Sequence, residues 1–178
     1  MTQDQDKGNA APEVQSDNAA LSLANSLLLD QQLCFPLYAT SRQMTRLYGT
    51  LLEPIGITYP QYLVLMVLWE NAPRTVMEIG QELQLNTNTL TPLLKRLEDA
   101  KIIQRTRSKK DERIVQITLT SKGHDLRQAC LVVPAMLIAS LHFDSAKAIQ
   151  LRELLRELNS KLTAAIAQTN SSLAESGP

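Results

Sequence analysis

Apolar positions recur at helical spacing through most of this chain, and the interruptions fall where a set of packed helices needs turns. From Cys34 to Leu52 the spacing predicts a first helix. Pro54 and Gly56 stop it before Thr58 opens a second helix, which runs from Tyr59 to about Glu70. Asn71-Ala72-Pro73 is a further stop. The segment Thr75-Val76-Met77-Glu78 then carries the Thr-x-x-Glu pattern of a capping box, predicting a short helix that ends near Leu83 before a tight turn at Leu85-Asn86. A further helix spans Asn86 to Ala100. Leu90, Leu93, Leu94 and Leu97 form its buried stripe, and Thr87, Asn88, Thr89, Thr91, Lys95 and Arg96 lie on its other faces.

The period then changes. Ile102 to Arg107 and Arg113 to Leu119 flank Ser108-Lys109-Lys110-Asp111, and Val115, Ile117 and Leu119 alternate with Gln116 and Thr118, the pattern of a β-hairpin with a charged tip. Thr120-Ser121-Lys122-Gly123 opens one long helix through Leu126, Cys130, Val133, Leu137 and Leu141. Asp144-Ser145 caps a last helix, in which Leu151, Leu154, Leu155, Leu158, Leu162 and Ile166 keep 3/4 spacing. Two short helices joined by a turn and followed by a hairpin make a winged helix-turn-helix. The predicted fold is therefore mainly α with a small β-hairpin, the winged unit being flanked by terminal dimerisation helices. Its divisions are a disordered arm over 1–20, the first part of the dimerisation region over 21–57, the DNA-binding region over 58–120, C-terminal dimerisation helices over 121–170 and a flexible tail over 171–178.

Composition agrees with one helical domain, since 44% of the 178 residues are apolar while aromatics are sparse. The first 20 residues are polar, lack aromatics and carry no secretory signal pattern. Leu21 to Leu29 is too short an apolar cluster to cross a bilayer, so no membrane association is expected and the cluster is read as packing against a partner helix. Two cysteines make no disulfide framework, which suits a cytoplasmic protein with reduced thiols. His124 and His142 are isolated, so neither a metal site nor a cofactor is expected, and Trp69 is read as a core residue.

Net charge is zero, with 18 basic and 18 acidic residues, yet Lys101, Arg105, Arg107, Lys109, Lys110 and Arg113 crowd one short stretch against Asp111 and Glu112. A local basic patch on a neutral chain favours docking onto DNA over nonspecific coating. In such a unit the second helix lies in the major groove, offering Thr87, Asn88, Thr89, Thr91 and Lys95 to the bases with Arg96 close to phosphates. The wing carries Arg107, Lys109 and Lys110, and Arg113 is the candidate for minor-groove insertion, its guanidinium positioned by Asp111. Reading a palindromic double-stranded operator needs two such helices about one DNA turn apart, hence a homodimer.

Upstream of this reader sits Cys34. A thiol upstream of a DNA reader suggests a redox switch, and because the thiolate is the reactive form of cysteine the sulfur needs hydrogen-bond donors or a helix N-terminus beside it. Tyr38, four residues on, shares its helix face. Tyr48, fourteen residues on, returns to that face about 21 Å along the axis, so any contact with Cys34 comes from the other subunit. Pro36 leaves two choices: the helix begins near Cys34 with the proline in its first turn, or it starts at an Asp30 cap and is kinked. The first is preferred, and it sets Cys34 at the positive end of the helix.

The runs Leu33-Cys34-Phe35, Leu37-Tyr38-Ala39, Ser41-Arg42, Met44-Thr45, Ile57-Thr58-Tyr59-Pro60-Gln61-Tyr62-Leu63, Leu68-Trp69-Glu70, Thr89 to Glu98 and Asp111-Glu112-Arg113 resemble the organic-hydroperoxide-sensing branch of the MarR family, the OhrR repressors, over roughly Leu33 to Gly123. The resemblance implies a homodimeric repressor, not an enzyme, that binds its operator when reduced and leaves it when an organic hydroperoxide oxidises Cys34. It also implies that Tyr38, Tyr48 and Tyr59 hydrogen-bond around that cysteine in a pocket built across the dimer interface. The family has one-cysteine and two-cysteine forms, which makes Cys130 a candidate resolving cysteine. In the two-cysteine form that residue is expected nearer Ala139 and Ser140, about 11 Å further along the helix, so Cys130 is read instead as an apolar packing residue. The alternative function is a MarR-type repressor released by a small phenolic or aromatic ligand without cysteine chemistry. A thiol peroxidase would need an activating Arg or His and a β-rich core, for which the periodicity is wrong.

Overall fold

The computed structural model describes residues 27–107 and 114–175. They belong to two compact units whose boundary falls between Leu47 and Tyr48. In the first, a 3-10 turn over Leu29–Gln31 precedes helix α1, Cys34–Leu52, which continues across the boundary. Pro36 lies in the first turn of α1, where a backbone N–H has no intrahelical partner to lose, and Asp30 stays within the 3-10 turn. Of the two starts open to the sequence, the chain takes the one at Cys34.

In the second unit α1 ends in a 3-10 turn over Glu53–Ile55, closed by Gly56 at φ 77, whose N–H donates to the Leu52 and Glu53 carbonyls. Helix α2, Tyr59–Glu70, starts at a capping box in which the Thr58 N–H donates to Gln61 Oε1 at 2.8 Å. A two-residue strand β1, Arg74–Thr75, leads into α3, Val76–Leu83. Here the predicted capping box forms: Glu78 N–H donates to Thr75 Oγ1 at 3.2 Å, and the Thr75 N–H donates to the Glu78 carboxylate at 2.6 Å. The Thr75 N–H first, and then the Thr75 hydroxyl, which donates to the same carboxylate at 2.9 Å, hold the Glu78 carboxyl below its usual range. Helix α4, Thr87–Asp99, strands β2, Ile103–Arg107, and β3, Val115–Leu119, and helix α5, Ser121–Cys130, follow. Helix α6, Val133–Leu141, and helix α7, Ser145–Glu175, complete the described chain.

Three expectations need correction. The hairpin is part of a three-stranded antiparallel sheet of order β1-β3-β2, with Arg74 opposite Ile117 on one side of β3 and Ile103 opposite Leu119 on the other. The single helix expected after Thr120 is two helices, broken at Leu131–Val132, because Pro134 has no N–H to donate back and belongs in the first turn of a new helix. The last helix runs on to Glu175, into the stretch read as a tail. Residues 1–26, with the expected arm, lie outside the described residues, as do 176–178.

The core is built from α2, α3, α4 and the sheet. Leu65 and Leu68 of α2, Ile79 of α3, Leu90, Leu94 and Leu97 of α4, and Ile117 of β3 are all fully buried, and Leu52, Val64 and Val133 join them. The α4 stripe is the predicted one, although Leu93 is only partly covered. On α7, by contrast, Leu151, Leu154, Leu155, Leu162 and Ile166 stand exposed in the single chain. Among the described residues no single helix is long and apolar enough to cross a membrane.

Candidate functional site

Helix α4 is held by its ends and by one face. Asn86 caps it, its Oδ1 accepting from the Thr89 N–H at 2.9 Å. The turn before it needs Gln84 in the left-handed region at φ 54 and Gly80, where a Cβ would lie 2.9 Å from the Leu85 carbonyl oxygen. With Leu90, Leu94 and Leu97 inward, the helical repeat turns Asn88, Pro92 and Lys95 outward, and all three are exposed. Thr87, Thr89, Thr91 and Arg96 are exposed on the flanks. The Thr89 hydroxyl already donates to Asn86 Oδ1 at 2.9 Å, so this residue serves the cap. Pro92 stands inside the helix and leaves the Asn88 carbonyl without its usual i+4 donor, on the outward face.

The wing is fastened to the end of that helix. Arg105 on β2 approaches Glu98 on α4 at 3.9 Å, with its Nε buried and unpartnered among the described residues. Lys101 takes a left-handed φ of 57, and its carbonyl accepts from the Thr120 hydroxyl at 2.7 Å. Lys122 donates to the Ala100 carbonyl at 3.0 Å, setting a cation at the C-terminal end of α4. Gly123 lies so close to the Ile102 carbonyl that a Cβ would meet its oxygen at 2.2 Å. Trp69 donates its indole N–H to the Gly123 carbonyl at 2.8 Å, giving the residue read as core a definite partner. Sequence reasoning missed Glu98, Lys122 and Gly123 as supports of the wing, since their roles depend on contacts between elements. Arg107 is exposed at the last described pair of the hairpin, opposite Val115. Lys109, Lys110, Asp111 and Arg113 lie outside the described residues.

The two thiols are free and differ in their surroundings. Cys34 is exposed at the first residue of α1. One turn on, Tyr38 is 60% exposed, and the Arg42 guanidinium lies over its ring, 5.6 Å from the centroid. Among the described residues no hydrogen bond joins Tyr38 to Cys34. Cys130 is 3% exposed, and burial pushes its thiol up, toward the protonated form.

The other predicted tyrosines come together in the second unit. Tyr48 and Tyr59 stack with centroids 4.4 Å apart and planes 17° apart. Tyr62, absent from the sequence-derived set, lies 5.9 Å from Tyr48 and makes an edge contact with Trp69 at 6.2 Å. Its signal was its place three residues after Tyr59 on the same helix. Burial raises the pKa of all three phenols, reinforced for Tyr48 by Tyr59 and Tyr62 and for Tyr62 by Cys130 and Tyr59. They therefore keep their protons at neutral pH and can act as hydrogen-bond donors.

The sequence profile of the family described as "Transcriptional regulator SarA/Rot" matches residues 46–130. The organic hydroperoxide resistance transcriptional regulator of Bacillus subtilis is 48% identical over 110 residues, covering 62% of this chain and 75% of that protein. The structure of reduced AbfR bound to DNA superposes with a TM-score of 0.68 at 36% identity, covering 84% of this chain and 99% of that one. The likeness falls to a TM-score of 0.52 for disulfide-formed AbfR, at 37% identity over 86% of this chain and 99% of that one. A mutant MarR from E. coli complexed with operator DNA gives a TM-score of 0.65 at 25% identity, over 71% of this chain and 92% of that one.

Proposed function

The chain belongs to the MarR family of winged helix-turn-helix transcriptional regulators, on the branch of the organic hydroperoxide resistance regulators, and from that premise we propose a homodimeric repressor released from a palindromic operator when an organic hydroperoxide oxidises Cys34. DNA binding follows from the family. The redox switch rests on one observation above all: of two thiols, the exposed one stands at the first residue of a helix, and the other is buried.

On this proposal the reacting form of Cys34 is the thiolate, carried at the N-terminal end of α1. The thiolate attacks one oxygen of the hydroperoxide, the O–O bond breaks and the alcohol leaves after protonation. Cysteine sulfenic acid remains, and it condenses with a small thiol from solution to give a mixed disulfide and water. On this reading Cys130 is a packing residue and not the resolving thiol, which its burial supports. A bulky adduct at Cys34 disturbs the dimer interface. Packed helices move as rigid units, so the two α4 helices lose the spacing that matches the half-sites. AbfR has been solved in both a reduced DNA-bound and a disulfide form, and the unequal likeness of this chain to the two supports a family chain with more than one arrangement.

Operator binding tests the proposal with wild-type protein and Cys34→Ser, before and after stoichiometric cumene hydroperoxide and then with dithiothreitol. Wild type is expected to lose the operator and recover it with the reductant, while Cys34→Ser holds on throughout. Unchanged wild-type binding would sink the redox reading.

The outward face of α4 gives a second expectation. Arg96→Ala, on the flank of that face, removes a phosphate partner and should weaken binding to all sequences while flattening the slope of log affinity against log salt by roughly one unit. Asn88→Ala, at a base-reading position, should instead cost about 1 to 3 kcal/mol on the preferred operator and leave the slope unchanged. Titrations at several salt concentrations on matched and altered operators separate the two roles.

A further inference from the structure

Cys34, Tyr38 and Arg42 follow one another at intervals of four along α1, so the three side chains stack up one face of the helix. Side chains on an α-helix lean toward its N-terminus, which sends Tyr38 back over the turn that carries Cys34 and Arg42 back over Tyr38. The second of these leans is visible as the guanidinium 5.6 Å above the ring centroid, within the range of a cation–π contact. Among the described residues no carboxylate pairs with Arg42, so its charge is directed at the ring and not at an acid. Tyr38 itself is 60% exposed and has no other ring contact among the described residues, so Arg42 is what restrains its rotamer.

We infer that Arg42 is a positioning residue for the chemistry of Cys34, restraining the Tyr38 ring one turn along the helix so that its hydroxyl donates to the sulfur once the thiolate forms. Arg42 does this from about 12 Å along the helix axis, without touching the sulfur. Two effects act together. The stacked cation limits the ring to the orientation that points its hydroxyl down the helix. It also withdraws electron density from the phenol, which makes the O–H a stronger donor. The inference rests on Cys34 being the reactive thiol of the proposed switch.

The test reads thiol reactivity without peroxide, so its outcome is independent of whether peroxide releases DNA. Full-length reduced protein is alkylated with iodoacetamide, and modification of the Cys34 peptide is followed by mass spectrometry. Arg42→Gln is expected to slow alkylation by about two- to fivefold, the range of an exposed cation–π contact. Arg42→Lys, which keeps a cation over the ring, restores most of the rate. In a Tyr38→Phe background Arg42→Gln has no further effect, because the hydroxyl through which Arg42 acts is gone. Operator affinity of each reduced variant matches wild type, which separates this role from a general loss of structure. Alkylation of Arg42→Gln at the wild-type rate overturns the inference. So does equal slowing with and without the Tyr38 hydroxyl, since the charge would then be acting on the sulfur directly.

Discussion

Gly123→Ala is expected to destabilise the protein by about 2 to 3 kcal/mol and to abolish operator binding, although alanine is the better helix former. The added methyl would lie 2.2 Å from the Ile102 carbonyl oxygen and 3.0 Å from Leu119 Cδ2. The leucine can rotate, but the carbonyl cannot. It is backbone, and it already accepts from the Thr120 N–H at 3.1 Å and the Thr120 hydroxyl at 3.0 Å. Relief therefore requires α5 to move off the wing, and that movement strains the hydrogen bond from Trp69 to the Gly123 carbonyl. The helix-propensity gain of about 1 kcal/mol offsets only part of this. Gly49→Ala is the contrasting case, an exposed position within α1 where the new methyl meets nothing within 4 Å, and there stability should hold or rise. Urea denaturation of both variants measures the difference. A Gly123→Ala protein as stable as wild type would show that the close approach is not a constraint.

The second large effect concerns the apolar stripe of α7. Leu151, Leu154, Leu155, Leu162 and Ile166 lie at helical spacing and stay exposed in the single chain, with Ile166 at 60%. A stripe of that kind marks a protein interface. In the proposed homodimer a second copy of the chain lies against it, so that each protomer positions the other's recognition helix. Replacing Leu155 and Leu162 together by Asp should yield a folded monomer whose operator affinity is at least about a hundredfold weaker, since one half-site no longer raises the effective concentration of the other. Analytical ultracentrifugation and fluorescence anisotropy with labelled operator report the two quantities. A monomeric variant with undiminished affinity would place the dimer interface outside DNA recognition.

Much of the fold was legible because its punctuation is local. The capping residues Thr58, Thr75, Asn86 and Asp144 and the terminator Gly56 act within a few residues of themselves, and each helix they bound begins or ends where the spacing predicts. What escaped depends on partners distant in sequence. Strand β1 has two residues and no alternation of its own, and it exists because β3 has a free edge at Ile117 and Gln116. The break at Leu131 and Val132 was hidden because Val133, Leu137 and Leu141 continue the apolar rhythm across it, although Pro134 carried the contrary signal. At the candidate site, Cys34 and its tyrosines could be named from a face and a spacing. The stack of Arg42 on Tyr38, the occupied hydroxyl of Thr89 and the joining of Tyr62 to Tyr48 and Tyr59 required coordinates.

The aromatic cluster gives the molecule a colour of its own. There is one tryptophan in the chain, and it stands between the edge of Tyr62 and the carbonyl at the base of the wing. Tyrosine light absorbed at Tyr48, Tyr59 or Tyr62 is within easy reach of that indole, and the emission of Trp69 depends on how its N–H is held. Movement of α5 against α2 therefore registers as a change in intrinsic fluorescence at a single, known address, so the reader can be watched at work without a dye.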